Sequence, residues 1–194
     1  MTVPGIFLAA GEGKRFGNGK LLSIIDGEPL VVRSLRGPLD SSLEKVIVVL
    51  GFQAELVKEA VKNSFGDNQK VAFANNPGYR EGMISTFNTG LAALSGGGPG
   101  AMMLLGDMPF VSGGIIDTLI RTWDGRSFLI PEVEGRMVHP RIVPRRLFQD
   151  FLDSESMNSG KKVLEKNRKR IRTVSFGNVP EFRDVDRKDD IFSF

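Results

Sequence analysis

Apolar positions along the first two thirds of the chain alternate between two patterns. Val3 to Ala9 is a short continuous apolar run closed by glycine, the mark of a buried strand. Lys45 to Leu50 (KVIVVL), Lys70 to Ala74 and Ala101 to Leu105 repeat it, the first of these rich in β-branched residues. Between them the apolar spacing becomes helical. Ala54 to Phe65 carries Leu56, Val57, Ala60 and Val61, with Gly66 placed to stop the helix. Met83 to Leu94 lines up Ile84, Phe87, Leu91 and Leu94, and Ser112 to Trp123 begins on an N-cap residue and aligns Ile115, Ile116, Leu119 and Trp123. Pro29 opens a shorter helix through about Leu35. Phe128 to Val133 and Met137 to Val143 flank Glu134-Gly135-Arg136 and predict an antiparallel hairpin in a less regular C-terminal third.

Strand and helix in strict alternation predict an α/β fold of three layers, a mostly parallel sheet with helices on both faces and a small antiparallel C-terminal insertion. At 194 residues, with no boundary signal, residues 1–194 are expected to form a single domain. Ligands of open sheets bind beyond the carboxyl ends of the strands, so the site is expected from Ala10 to Lys20, Asn75 to Gly82 and Gly106 to Pro109.

Composition narrows the chemistry. Cysteine is absent and His139 is the lone histidine, which removes thiol nucleophiles, disulfides and multi-histidine metal sites. Any metal must rest on oxygen ligands, which favours Mg²⁺. The net charge is only +3, with basic clusters at Arg141 to Arg146 and Lys161 to Arg172. That bias suits small anionic ligands, whereas a nucleic-acid surface shows a larger excess interleaved with aromatics. With no basic leader and no long apolar run, the expectation is a cytoplasmic protein with no membrane partner.

The stretch LAAGEGKRFGNGK, Leu8 to Lys20, follows the first strand directly. It is not a Walker loop, because Gly19-Lys20 precedes Leu21 and Lys14 stands where the first glycine belongs. Nor is it a dinucleotide fingerprint, because Phe16 replaces the third glycine. Its glycines still let backbone N–H groups approach an anion, and Arg15 and Lys20 can add charge. Lys14 reads as surface. Asp107, at the carboxyl end of a central strand, faces the crevice where a carboxylate can hold Mg²⁺ together with substrate phosphates. Asp184 and Asp186 fall on one side of an extended segment.

Leu8-Ala9-Ala10-Gly11-x-Gly13-x-Arg15-Phe16-Gly17-x-x-Lys20 resembles the opening signature of the nucleotidyltransferases of molybdenum cofactor synthesis, closest to their cytidylyltransferase branch. Asn76-Pro77-x-Tyr79-x-x-Gly82-Met83-x-x-Thr86-Phe87-x-x-Gly90, Gly106-Asp107-Met108-Pro109 and Asp184 to Asp190 are similar to further family segments, although the family usually has Ser at Thr86. The resemblance implies a Rossmann-like sheet and Mg²⁺-dependent transfer of CMP from CTP to the phosphate of molybdopterin, with release of pyrophosphate. It implies nucleotide contacts from Leu8, Ala9, Ala10, Gly11, Gly13, Arg15, Lys20, Asn76, Gly82 and Thr86. Arg15, Lys20 and Asp107 would be catalytic, with Asp107 and Asp186 holding the metal; only the resemblance singles out Asp186 over Asp184. His139-Pro140-Arg141 resembles the loop beside the acceptor, which makes His139 and Arg141 acceptor contacts, and a molybdoenzyme would receive the product. Arg145, Arg146, Lys161 and Lys162 could extend Arg141 into a cationic wall.

Ala10 carries the choice of CTP, since the guanylyl branch has a second glycine there. Three alternatives stay open: GTP as donor, another phosphorylated acceptor such as a sugar phosphate, and a non-catalytic cofactor carrier. Met157-Asn158-Ser159-Gly160-Lys161-Lys162 departs from the family's usual Gly-Asp-x-Gly-Ala-Arg and leaves the acceptor open.

Overall fold

The computed structural model describes residues 2–17, 19–96, 98–153, 159–177, 180–187 and 190. The strands are β1 (Gly5–Ala9), β2 (Ile24–Ile25), β3 (Glu28–Pro29), β4 (Val46–Leu50), β5 (Val71–Asn75), β6 (Gly100–Leu105), β7 (Phe128–Val133), β8 (Arg136–Met137), β9 (Arg141–Pro144) and β10 (Ile171–Phe176). The helices are α1 (Leu30–Asp40), α2 (Ala54–Phe65), α3 (Met83–Ala92), α4 (Gly113–Thr122), α5 (Phe148–Leu152) and α6 (Ser159–Lys166). The main sheet runs β10-β7-β9-β6-β1-β4-β5, with β8 on β7 and a separate β2-β3 ribbon. Only β9 among the strands of that order runs antiparallel to its neighbours.

The alternation of side chains splits the core into two layers. Phe7 and Ala9 of β1 join residues of α1, α2 and α4 on one face, while Ile6 and Leu8 join residues of α3, α5 and α6 on the other. Both faces are covered, so β1, β4 and β6 need the continuous apolar runs by which they were recognised. No helix among the described residues is long and apolar enough to cross a membrane.

Three elements differ from their expected form. Helix α1 runs on to Asp40 through Pro38. It can do so because Gly37, lacking a Cβ, lets the helix press directly on the Val111 carbonyl. The expected hairpin is divided: Glu134 (φ 49) and Gly135 (φ 76) form the tight turn and Arg136–Met137 pairs with β7. Beyond a cis His139–Pro140 bond, Arg141–Pro144 then leaves to pair with β6. The C-terminal third also holds α5, α6 and the edge strand β10, for which the sequence reading gave no bounds: α5 is five residues long, α6 is mostly polar, and polar residues dilute β10.

Strand order reverses at β1: β4 and β5 follow on one side, β6 on the other. The loops leaving β1 and β6 therefore part and open a crevice at their carboxyl ends.

Candidate active site

The glycine loop is folded rather than loose. Ala10 O accepts the Phe52 N–H at 3.0 Å, and Gly13 O accepts that of Phe16 at 2.9 Å. Phe16 is buried with Ile25, Leu30 and Val185 and pins the middle of the loop. Gly13 sits at φ 65, where a Cβ would lie 2.6 Å from Lys20 Cβ. The glycine thus lets the start and end of the loop pack together and turns Lys20 inward, only 7% exposed.

Lys20 Nζ donates to Asp107 Oδ2 at 2.7 Å and to Asp186 Oδ1 at 3.1 Å, while Arg15 Nη1 donates to Asp186 Oδ2 at 3.1 Å. Burial alone would lower the lysine, but Asp107 and then Asp186 outweigh it and hold the ammonium above the ordinary lysine value. Asp186 arrives from the other end of the chain. The fully buried Val185 anchors its segment, donating its N–H to Asp107 O at 2.9 Å, and Asp190 Oδ2 accepts the N–H groups of Asp186 and Arg187 at 2.7 and 2.6 Å. Lys188 and Asp189 lie outside the described residues. Asp184 stands close enough that burial, then Asp186 and Asp107, raise its carboxyl above the usual range.

Asp107 and Asp186 each aim an oxygen at one cation, the arrangement that suits a hard divalent ion. No group of three or more His, Asp or Glu residues among the described residues is built to hold a metal. A metal here would complete its shell with substrate oxygens or water.

Beside this centre lies a cavity of about 230 Å³. Leu8, Ala10, Gly11, Gly13, Lys20, Gly82, Thr86 and Asp107 line it, together with Tyr79 and Met83 of the Asn76 to Gly90 segment and with Leu21 and Leu105, which the sequence reading did not single out. Ala9 is not among them: its side chain points into the opposite core layer with α1 and α2. Asn76 is buried and spent on its own loop, Nδ2 donating to Ser85 Oγ (3.1 Å) and Thr86 Oγ1 (3.2 Å) and Oδ1 accepting the Gly78 N–H (3.0 Å). It sets the cavity wall rather than lining it. Ala10 is 2% exposed, and its methyl lies toward Gly51, where a Cβ would come within 2.7 Å of it and 2.6 Å of Tyr79 Cβ. A second missed feature lies beside the cavity. Arg80 Nε donates to Glu12 Oε1 at 2.8 Å, tying the glycine loop to the loop after β5.

Arg141 faces the crevice end from β9. Its Nε donates to Val138 O at 3.0 Å and its Nη2 to Met137 O at 3.5 Å. No carboxylate pairs with it among the described residues, and burial lowers its pKa from the ordinary arginine value to about 10. Burial, and secondarily Arg141, drives His139 well below the usual imidazole range, and its buried Nδ1 lacks a hydrogen-bond partner. The rest of the expected wall does not assemble. Because β9 runs antiparallel to β6, Arg145 is carried to the far end of the sheet, where its N–H donates to Pro99 O (2.8 Å) and its Nη1 to Gly96 O (2.9 Å); Arg146 follows it there. Lys161 is exposed and reaches Glu165 at 3.9 Å on the same helix face. Met157 and Asn158, part of the departure in sequence, lie outside the described residues.

Residues 5–171 match the family model of the MobA-like NTP transferase domain. The chain is 29% identical over 141 residues to the bifunctional protein GlmU of Pelobacter propionicus, a match covering 72% of this chain and 30% of that protein. It spans less than a third of the length of the curated relatives it matches. Among solved structures, the Mycobacterium tuberculosis rv0371c homolog from Mycobacterium sp. strain JC1 superposes with a TM-score of 0.82 at 25% identity, covering 98% of this chain and 93% of that one. Rv0371C of Mycobacterium tuberculosis in complex with manganese shares the fold at TM-score 0.76 and 18% identity, covering 100% and 97%.

Proposed function

We propose, for a chain that belongs to the MobA-like NTP transferase family, that residues 1–194 form one nucleotidyltransferase domain that moves CMP from CTP to the phosphate of molybdopterin and releases pyrophosphate. The observation that carries this reading is the Lys20 ammonium, buried and held 2.7 and 3.1 Å from two carboxylates at the edge of a cavity lined by glycines. A carrier of finished cofactor has no use for such a centre.

The residues divide the work between charge and position. Backbone N–H groups at Gly11 and Gly13 face the triphosphate, with Lys20 and Arg15 balancing its charge. Asp107 and Asp186 would hold Mg²⁺, and the manganese complex of the structural neighbour supports a divalent metal in this fold. When bound, such an ion neutralises phosphate oxygens and assists departure of the leaving group. An acceptor phosphate oxygen attacks the α-phosphorus in line. The new P–O bond forms as the bond to the β-phosphate oxygen breaks, and its electron pair leaves with pyrophosphate. The attacking oxygen is already ionised near neutral pH, so no general base is required. A neutral His139 is consistent with that absence. Arg141, a desolvated cation that pairs with no carboxylate among the described residues, supplies the charge for the acceptor phosphate.

The choice of CTP rests on Ala10, whose methyl reduces the room beside Gly51 and Tyr79. One methyl is worth about 1–3 kcal/mol of discrimination. We assign the reaction to the cytoplasm, with the product passing to a molybdoenzyme. The test is pyrophosphate release from each NTP with molybdopterin and with a panel of sugar phosphates, in Mg²⁺. Release with CTP and molybdopterin, lost in Asp107→Asn, is expected. A better sugar phosphate moves the acceptor assignment, GTP in place of CTP moves the donor, and no release from any pair refutes the reading.

A further inference from the structure

The same Lys20 that faces the triphosphate also sits between the two carboxylates that would take the metal. One ammonium cannot serve both places. Its side chain is 8% exposed, against 27% for Asp107 and 45% for Asp186, so it closes the inner side of the acidic pair while the outer side opens to the crevice. Gly13 packs against its Cβ, which fixes the root of the side chain and leaves only the outer carbons to swing. From that root the ammonium can reach either the carboxylates or a phosphate in the adjoining cavity, because Gly13, Lys20 and Asp107 all line that cavity.

We infer that Lys20 is an internal stand-in for the metal: in the ligand-free protein its ammonium occupies the Asp107–Asp186 site, and it gives up that site only when a triphosphate offers it new anionic partners. The inference rests on the metal-dependent reading above. Free metal meets a site already neutralised by an ammonium and by Arg15 on the far oxygen of Asp186. Metal brought with a triphosphate meets a site whose ammonium has somewhere to go. Metal and nucleotide therefore bind with positive coupling, and that coupling is reciprocal. The ammonium also adds a buried counter-charge beside three mutually repelling carboxylates, Asp107, Asp184 and Asp186, the last of which is otherwise offset by the exposed Arg15.

The test reads metal binding rather than turnover. Mn²⁺ alone is titrated by electron paramagnetic resonance into the wild type, Lys20→Met and Lys20→Gln, with Lys20→Met/Asp107→Asn as the control. An opposite charge this close shifts the affinity of a carboxylate for a proton by about 1–3 pK units, and a metal ion experiences the same competitor. Both single variants should bind Mn²⁺ at least about tenfold more tightly than the wild type, and the double variant should lose the gain. In the wild type itself, Mn²⁺ alone should leave the melting temperature unchanged. Mn²⁺ with an α,β-methylene NTP, tried as the CTP, GTP, UTP and ATP analogues, should raise it beyond the analogue alone. Equal Mn²⁺ affinity in wild type and folded Lys20 variants overturns the stand-in role, as does a wild type stabilised by Mn²⁺ alone through Asp107. Failure of the underlying reading looks different: the analogues would then bind every protein without regard to metal, and both inferences would fall.

Discussion

Arg141→Met separates the charge of this residue from its packing, since methionine keeps the apolar stem and removes the guanidinium. In the native protein burial brings the group from the ordinary arginine value to about 10, with no carboxylate among the described residues in compensation. At about 1.4 kcal/mol per pK unit, holding the cation there costs roughly 3 kcal/mol. Against this stand the hydrogen bonds to Val138 O and Met137 O, the second already long at 3.5 Å. Losing them costs about 1–2 kcal/mol, because charged donors contribute more than neutral ones but these carbonyls lie near solvent. The variant should therefore be more stable than the wild type by about 1–2 kcal/mol, a rise of roughly 2–8 °C in melting temperature for a domain of this size. The sign with pH follows from the lowered value. The penalty is complete below about pH 10 and shrinks as pH rises from there toward the ordinary arginine pKa, so the advantage of the variant should fade over that window. In pyrophosphate release the acceptor KM should rise by about tenfold or more while the NTP KM stays within twofold, the loss of one charge contact being worth about 1.4 kcal/mol. A lower melting temperature with an unchanged acceptor KM would show that the guanidinium merely braces the β8–β9 turn, and the acceptor assignment would fall with it.

Two further outcomes test the framework. Gly90→Ala should destabilise the fold by about 1–2 kcal/mol in chemical denaturation, because the new Cβ is driven into Ile6 Cγ2 and overpacking outweighs the gain in helix propensity; a variant as stable as wild type would refute the tight contact of α3 on β1. His139→Gln should flatten the acid side of the stability profile. The native imidazole stays neutral while the unfolded one gains a proton below about pH 6.5, so wild-type stability carries a slope of about 1.4 kcal/mol per pH unit there that the variant lacks. Parallel profiles for the two proteins between pH 7.5 and 5 would contradict the burial of His139.

The elements legible in the sequence are those whose environment is uniform along their length. β1, β4 and β6 are covered on both faces, so every position is apolar and the run stands out; β10 lies at the edge, and Arg172, Thr173 and Ser175 dilute its signal. Gly37 and Pro38 illustrate a second limit: both argue locally against helix, yet α1 continues because Gly37 fits against the Val111 carbonyl, a contact set by tertiary packing. The candidate site divides in the same way. Gly13 and Asp107 follow closely on β1 and β6, and Lys20 ends the loop that leaves β1, so sequence position puts them near the crevice. Asp186 stands 166 residues from Lys20 and follows no strand in that register; what places it is Val185, buried against Phe16, Ile25 and Leu30. Direction of travel decides the rest. A cluster of arginines at 141, 145 and 146 looks like one basic patch, but β9 carries the chain away from the crevice. Arg141 therefore stays beside the site, and Arg145 ends at the opposite edge of the sheet on Gly96. Charge adjacent in sequence becomes a binding surface only where the strand beneath it runs toward the ligand.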